Sequence, residues 1–201
     1  MSGLNNQKSM FLPMSMSERS CTVPFHKPSL KEKLFFFSSG IIVSIPLASF
    51  FESFFALPLN PAYASVLTIA VLAPTIEEFG KAYPLFYRHG ETKKSIMTLG
   101  FLVGLGFGIV EFLEYVLILR VPFIVRLPGL FFHAASTSII GYGIANKKPT
   151  AFYLIAVSLH FANNIAALYA PYEFLILAIL VVTVYFWWYL YKKTTDTIIP
   201  Y

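Results

Sequence analysis

Six apolar stretches occupy most of this chain, at about residues 34–56, 63–87, 96–118, 128–145, 151–170 and 172–191. A helix needs roughly 20 apolar residues to cross a bilayer core of about 30 Å, and each stretch approaches or exceeds that length. The hydrocarbon offers the backbone no water to bond to, so a single spanning segment must satisfy its own peptide groups as a helix. The expected fold is therefore all-α, a polytopic transmembrane helix bundle of about six spans. Composition points the same way: 57% of residues are hydrophobic and only 12% charged, against about one quarter charged in soluble domains.

Charge placement predicts the orientation. Lys8, Arg19, Lys27, Lys31 and Lys33 precede the first span, and Arg88, Lys93 and Lys94 lie between the second and third. Lys147 and Lys148 follow the fourth span, and Lys192 and Lys193 follow the sixth. With six spans these groups share one side, which the positive-inside rule makes cytoplasmic, with both termini. The opposite loops hold only Arg120, Arg126 and Glu173. This asymmetry accounts for the net charge of +5, so the basic balance is not read as nucleic-acid binding.

The organisation read from these features is a flexible cytoplasmic tail over 1–33, a transmembrane helical domain over 34–191 and a short tail over 192–201. The tail is polar and aperiodic. The apolar run after Lys33 is too long for a signal-peptide core, which points to a multi-pass protein of a cytoplasmic-type membrane. Cys21 is the only cysteine, which excludes an internal disulfide and a thiolate metal cluster.

Charged groups inside a membrane are costly unless paired, so they usually face the bundle interior and mark function. Four of the ten acidic residues lie in spans two and three: Glu77, Glu78, Glu111 and Glu114. Lys81 is the clear basic partner at that depth, which leaves about three negative charges for protons or a bound cation to offset. In APTIEEFGKAYPLF, Lys81 follows Glu78 by three residues and Glu77 by four, within reach of either carboxylate. The two glutamates project about 100° apart, which suggests different tasks. Pro74 precedes them by one turn and frees a carbonyl near residue 70, predicting a kink there.

Span three repeats glycine at 100, 104 and 108, a close-approach face for a neighbouring helix, and Glu111 continues nearly that face. In span four His133, Thr137 and Gly141 share a face beside Ser136, and in span five His160 stacks on Asn164. Glu77 and His160 both lie about ten residues from the cytoplasmic end, about 15 Å deep at 1.5 Å per residue. Glu111 and Asn164 lie deeper, and His133 falls in the outer third if its helix starts at 128. Tilt or a kink must then bring the groups level.

The ordered motifs EEFGK, GFGIVEFLEY, HAASTSIIGYG and HFANN resemble the PrsW-type intramembrane proteases over about residues 70–165. The wider pattern is similar to the CAAX prenyl proteases, and the Glu at 111, four residues after Phe107, favours the PrsW branch. The resemblance implies a metal-dependent endopeptidase that cuts membrane proteins at or near the bilayer. It matches Glu77 and Glu78 to the paired glutamates, Glu111 and His133 to the middle motifs, His160 to the late histidine and Asn164 to the final polar position. One departure is Phe112, where such sequences usually carry Asn after the span-three Glu. Hydrogen bonding around Glu111 is then expected to be missing or to come from Glu114.

Peptide hydrolysis needs an activated water, a polarised carbonyl and stabilisation of an oxyanion. A zinc ion with three protein ligands and an open position supplies the first two. The expected ligands are Glu111, His133 and His160, with either paired glutamate able to replace one of them. Glu77 is the expected general base, Glu78 ligates or orients, and Lys81 holds the pair. Asn164 orients His160 or donates to the oxyanion. A metal-free route, with glutamate activating water directly, uses the same residues. Two other classes fit the sequence: a small proton- or ion-coupled transporter, and a scaffold that binds a partner's helix on the Gly100–Gly108 face.

Overall fold

The computed structural model describes residues 27–87, 92–169 and 173–197. The tail read over residues 1–26, with Cys21, and Arg88 of the second connection lie outside the described residues. Among the described residues six long helices follow one another: α1 over Leu30–Ala56, α2 over 61–82, α3 over Lys93–Ile118, α4 over Phe123–Ala145, α5 over Pro149–Leu168 and α6 over Glu173–Lys193. They coincide with the six apolar stretches, and among the described residues no strand forms. Five are long and apolar enough to cross a membrane by length and composition. The other, α2, carries Glu77, Glu78 and Lys81. The chain is an integral, multi-pass membrane protein.

Local chemistry starts the helices. Ser29 caps α1 in a capping box with Glu32, and Thr92 caps α3 in a reciprocal pair with Ser95. Leu30 to Lys33, read as the end of the tail, thus already belong to α1. Pro149 opens α5, where its missing N–H is an orphan position anyway. The fourth apolar stretch was expected to begin at 128, but α4 begins at Phe123 and carries Pro128 inside. There Pro128 forfeits a single hydrogen bond, to the carbonyl of Ile124.

Two spans carry a π turn ahead of a proline. A π turn at Gly40–Ser44 precedes Pro46 in α1, and another at Thr68–Leu72 precedes Pro74 in α2. The wider turn accommodates a ring that cannot donate a backbone hydrogen bond. The second falls at the place, near residue 70, where Pro74 predicts a kink. Ser44 Oγ, at the end of the first π turn, ties α1 to α2 by donating to the carbonyl of Gly80 at 3.0 Å.

The close-approach glycines set the centre of the bundle. A Cβ on Gly104 would overlap the carbonyl oxygen of His133, and one on Gly100 would lie 2.9 Å from the carbonyl oxygen of Thr137. The Gly100–Gly108 face thus packs backbone-close on α4, as read from the repeat. Gly106, on another face of α3, abuts the Phe37 carbonyl of α1. Leu85, Ile96, Leu99, Val103 and Ile140 fill the core. Phe50, Phe54, Ile118, Phe174 and Val181 point outward, where a bilayer rather than water receives them.

Candidate active site

Four helices meet around a polar centre. The stretch of α2 after its π turn supplies Glu77, Glu78 and Lys81, α3 supplies Glu111, α4 supplies His133 and Ser136, and α5 supplies His160. The glycine at 104 lets the His133 backbone approach α3 closely enough for its ring to reach Glu111. The depth mismatch expected for His133 disappears because α4 begins five residues earlier than expected. The His133 and His160 rings stand edge to face, 5.2 Å between centroids.

The adjacent glutamates have different surroundings. Glu78 is fully buried and saturated with donors: Lys81 Nζ at 2.7 Å, His160 Nδ1 at 3.0 Å and Ser136 Oγ at 3.2 Å. Glu77 faces outward from that hub, and its buried Oε2 atom has no hydrogen-bond partner among the described residues. Both Lys81 Nζ and His160 Nε2 lie 3.9 Å from Glu77, beyond hydrogen-bond reach. The i,i+3 and i,i+4 spacing thus places Lys81 near both carboxylates, but its short contact is with Glu78.

The ring nitrogens follow from these partners. The Glu78 carboxylate accepts from Nδ1 of His160, so Nε2 of that ring carries a free lone pair on the Glu77 side. Lys81 Nζ lies 2.8 Å from His133 Nδ1. An ammonium only donates, so Nδ1 accepts and Nε2 of His133 donates to Glu111 Oε2 at 2.5 Å. Phe107 and Phe132 wall the pair, with Lys81 Nζ 4.7 Å from the Phe107 ring centre.

Glu111 has a second partner that the sequence did not suggest. Arg126 Nη2 donates to its Oε1 at 2.8 Å, and the guanidinium lies 3.5 Å from the centre of the Tyr115 ring. The hydrogen bonding expected from Glu114 in place of an Asn at 112 comes instead from Arg126. The sequence places Arg126 in a connection, whereas it lies within the first turns of α4. An arginine two residues before a proline, inside an apolar run, was the available signal. Glu52 of α1 also lines the site, and a single carboxylate with no partner at helical spacing gives the sequence no pattern that points to it.

These side chains face a cavity of about 410 Å³. It extends from Glu77, His133 and His160 past Glu111 to Tyr115 and Leu168. It therefore lies toward the end of the bundle where the α3–α4 and α5–α6 connections run, away from the α2–α3 and α4–α5 connections. Asn164 lines the cavity, yet its Nδ2 donates to the carbonyl of Ile69 at 2.9 Å rather than to His160.

Donor atoms of Glu77, His133 and His160 lie within 4.8 Å of one another, a grouping able to hold a metal ion. Glu111, expected as a ligand, is placed outside this trio and against His133. The fit is chemical as well as spatial. Glu77 Oε2 and His160 Nε2 are electron-rich atoms without donors, which a cation would satisfy; His133 is engaged at both nitrogens, by Lys81 and by Glu111, and completes the trio once Lys81 turns off Nδ1. Two imidazoles with a carboxylate form the donor set of hydrolytic zinc sites.

Residues 29–190 match the PrsW family of intramembrane metalloproteases. No curated protein and no solved structure matches the chain. The family match covers most of the sequence, and the chain belongs to the PrsW family of intramembrane metalloproteases.

Proposed function

We propose that this protein is an endopeptidase that hydrolyses peptide bonds of membrane-associated proteins, with Glu77 as the carboxylate through which water is activated. The observation that carries this reading is the contrast within the glutamate pair. Glu78 is closed off by three donors, and Glu77 presents an unpaired oxygen to a polar cavity. A general base must be free to take a proton, and Glu77 meets that condition where Glu78 does not.

Glu77, His133 and His160 would hold a divalent ion, zinc by the donor chemistry, with Lys81 turning off His133 Nδ1 to free that nitrogen. When bound, such an ion polarises the scissile carbonyl and lowers the pKa of a coordinated water to about 7. The chain's own residues do the rest. Glu78 fixes the tautomer and tilt of His160, Glu111 holds His133 through Nε2, and Lys81 neutralises Glu78. The phenylalanines at 107 and 132 exclude water from the back of the histidine pair. Asn164 acts by holding α2 in place, not by orienting His160.

With both termini in the cytoplasm, the cavity end of the bundle faces the non-cytoplasmic side. Substrates are then membrane proteins cut in or near that half of a cytoplasmic-type membrane. The test is to reconstitute the full chain in liposomes with membrane-protein fractions and to map new termini by mass spectrometry. Wild type should generate new termini, and Glu77→Gln and chelator-treated wild type should not. Equal cleavage by wild type and Glu77→Gln would overturn the reading.

A further inference from the structure

Each histidine of the site is backed by a carboxylate, and each carboxylate by a cation. On the α5 side the chain runs Lys81–Glu78–His160, at 2.7 Å and 3.0 Å. On the α4 side it runs Arg126–Glu111–His133, at 2.8 Å and 2.5 Å. We propose that Arg126 is a positioning residue of the site, holding Glu111 on His133 as Lys81 holds Glu78 on His160.

Three features carry this. Glu111 and Tyr115 are four residues apart and share a face of α3, so Arg126 bonds one and stacks on the other, a two-point grip. Arg126 precedes His133 by seven residues and shares its face of α4, which places Glu111 between the two ends of one rigid segment. The cavity wall also carries Glu52, Glu77 and Glu114. Without the guanidinium, Glu111 would face these carboxylates with only the neutral ring of His133 to hold it. A planar fork stacked on an aromatic ring has no equivalent in lysine, so arginine is specifically required.

Carboxylates that orient metal-binding histidines change metal affinity or activity about 10–100-fold when lost, and a residue that acts through such a carboxylate should show the same range. The zinc arm of the test rests on the proposed metal site; the spectroscopic arm does not. Full-length protein in detergent would be titrated with zinc against a chromophoric chelator, as wild type, Arg126→Met, Glu111→Gln and the double variant. Arg126→Met and Glu111→Gln should each weaken zinc about 10–100-fold, and the double variant should bind no more weakly than Glu111→Gln alone. Arg126→Lys should recover only part of the loss. In ¹⁵N-histidine-labelled protein, the downfield proton shared by His133 Nε2 and Glu111 should vanish in Arg126→Met, while the His160–Glu78 proton persists as the fold control. If Arg126→Met loses both signals, Arg126→Gln is read instead, with the same selective loss expected. Wild-type zinc affinity in Arg126→Met, losses that multiply in the double variant, or an unchanged His133 proton would each overturn the proposal. A wild type that binds no zinc would count against the metal site alone, and the proton signal would still decide the role of Arg126.

Discussion

Asn164 donates its Nδ2 proton to the carbonyl of Ile69 at 2.9 Å, filling a place that Pro74 leaves vacant in the helix. Within the π turn, Ala73 N–H bonds the carbonyl of Thr68, five residues back. The next donor in that register would be residue 74, which is proline and has no N–H. Asn164→Ala should therefore destabilise the protein by about 1–3 kcal/mol, the cost of an unsatisfied carbonyl. Pro74→Ala restores a backbone donor, so the same substitution made in that background should cost less than half as much. Chemical unfolding in mixed micelles measures both, and equal costs in the two backgrounds would refute this role for Asn164.

The glutamate pair should separate stability from activity. Glu78→Leu leaves Lys81 buried without its short-range counter-charge, and breaking a buried ion pair from one side costs about 3–5 kcal/mol. Glu77→Gln removes no hydrogen bond at Oε2 and should change stability by under about 1 kcal/mol. Loss of a positioned general base should still lower cleavage at least about 100-fold. Unfolding curves paired with cleavage rates distinguish the two. A Glu78→Leu variant as stable as wild type would contradict the geometry described.

The spans, the α3–α4 glycine face and the place of the irregular turn before Pro74 are legible in the sequence because period, length and proline chemistry are local signals. Three features are not. The start of α4 was misplaced because Pro128 reads as a boundary, although one missing hydrogen bond near a helix end is tolerable. The same boundary puts Arg126 in a connection, which hides its pairing with Glu111 across a hairpin. For Asn164, read as orienting His160 or donating to the oxyanion, the i,i+4 spacing shows only that it shares a face with His160. That spacing cannot reveal that a carbonyl on a neighbouring helix, stripped of its donor by a proline, competes for the amide.

Two glycines should behave oppositely. A methyl group on Gly104 would meet the His133 backbone carbonyl, which cannot swing aside as a side chain can. Gly104→Ala should cost about 3 kcal/mol or more, at the upper end of overpacking, and should separate Glu111 from His133. Gly129, in α4, has nothing within 4 Å of an added Cβ. Gly129→Ala should stabilise the helix by about 0.5–1 kcal/mol. Thermal melts of the two variants suffice, and a neutral Gly104→Ala would mean that the α3–α4 approach is looser than described.

A cation that binds the folded state alone must stabilise it. Zinc at a free concentration of about 100 times its Kd should raise the unfolding free energy by about 2.7 kcal/mol. The gain should disappear in His160→Ala, which removes the open imidazole nitrogen. It should shrink in Glu77→Gln, where the unpaired oxygen stays but the negative charge is lost. Magnesium, which prefers an octahedral shell of oxygens and water, should give almost none of it, because the trio offers two nitrogens and one carboxylate. Melting of chelator-treated protein at graded free zinc tests this without any substrate. If zinc leaves wild-type melting unchanged while Glu77→Gln still abolishes cleavage, catalysis runs through Glu77 and water without the ion, and Lys81 is the cation that the cluster needs.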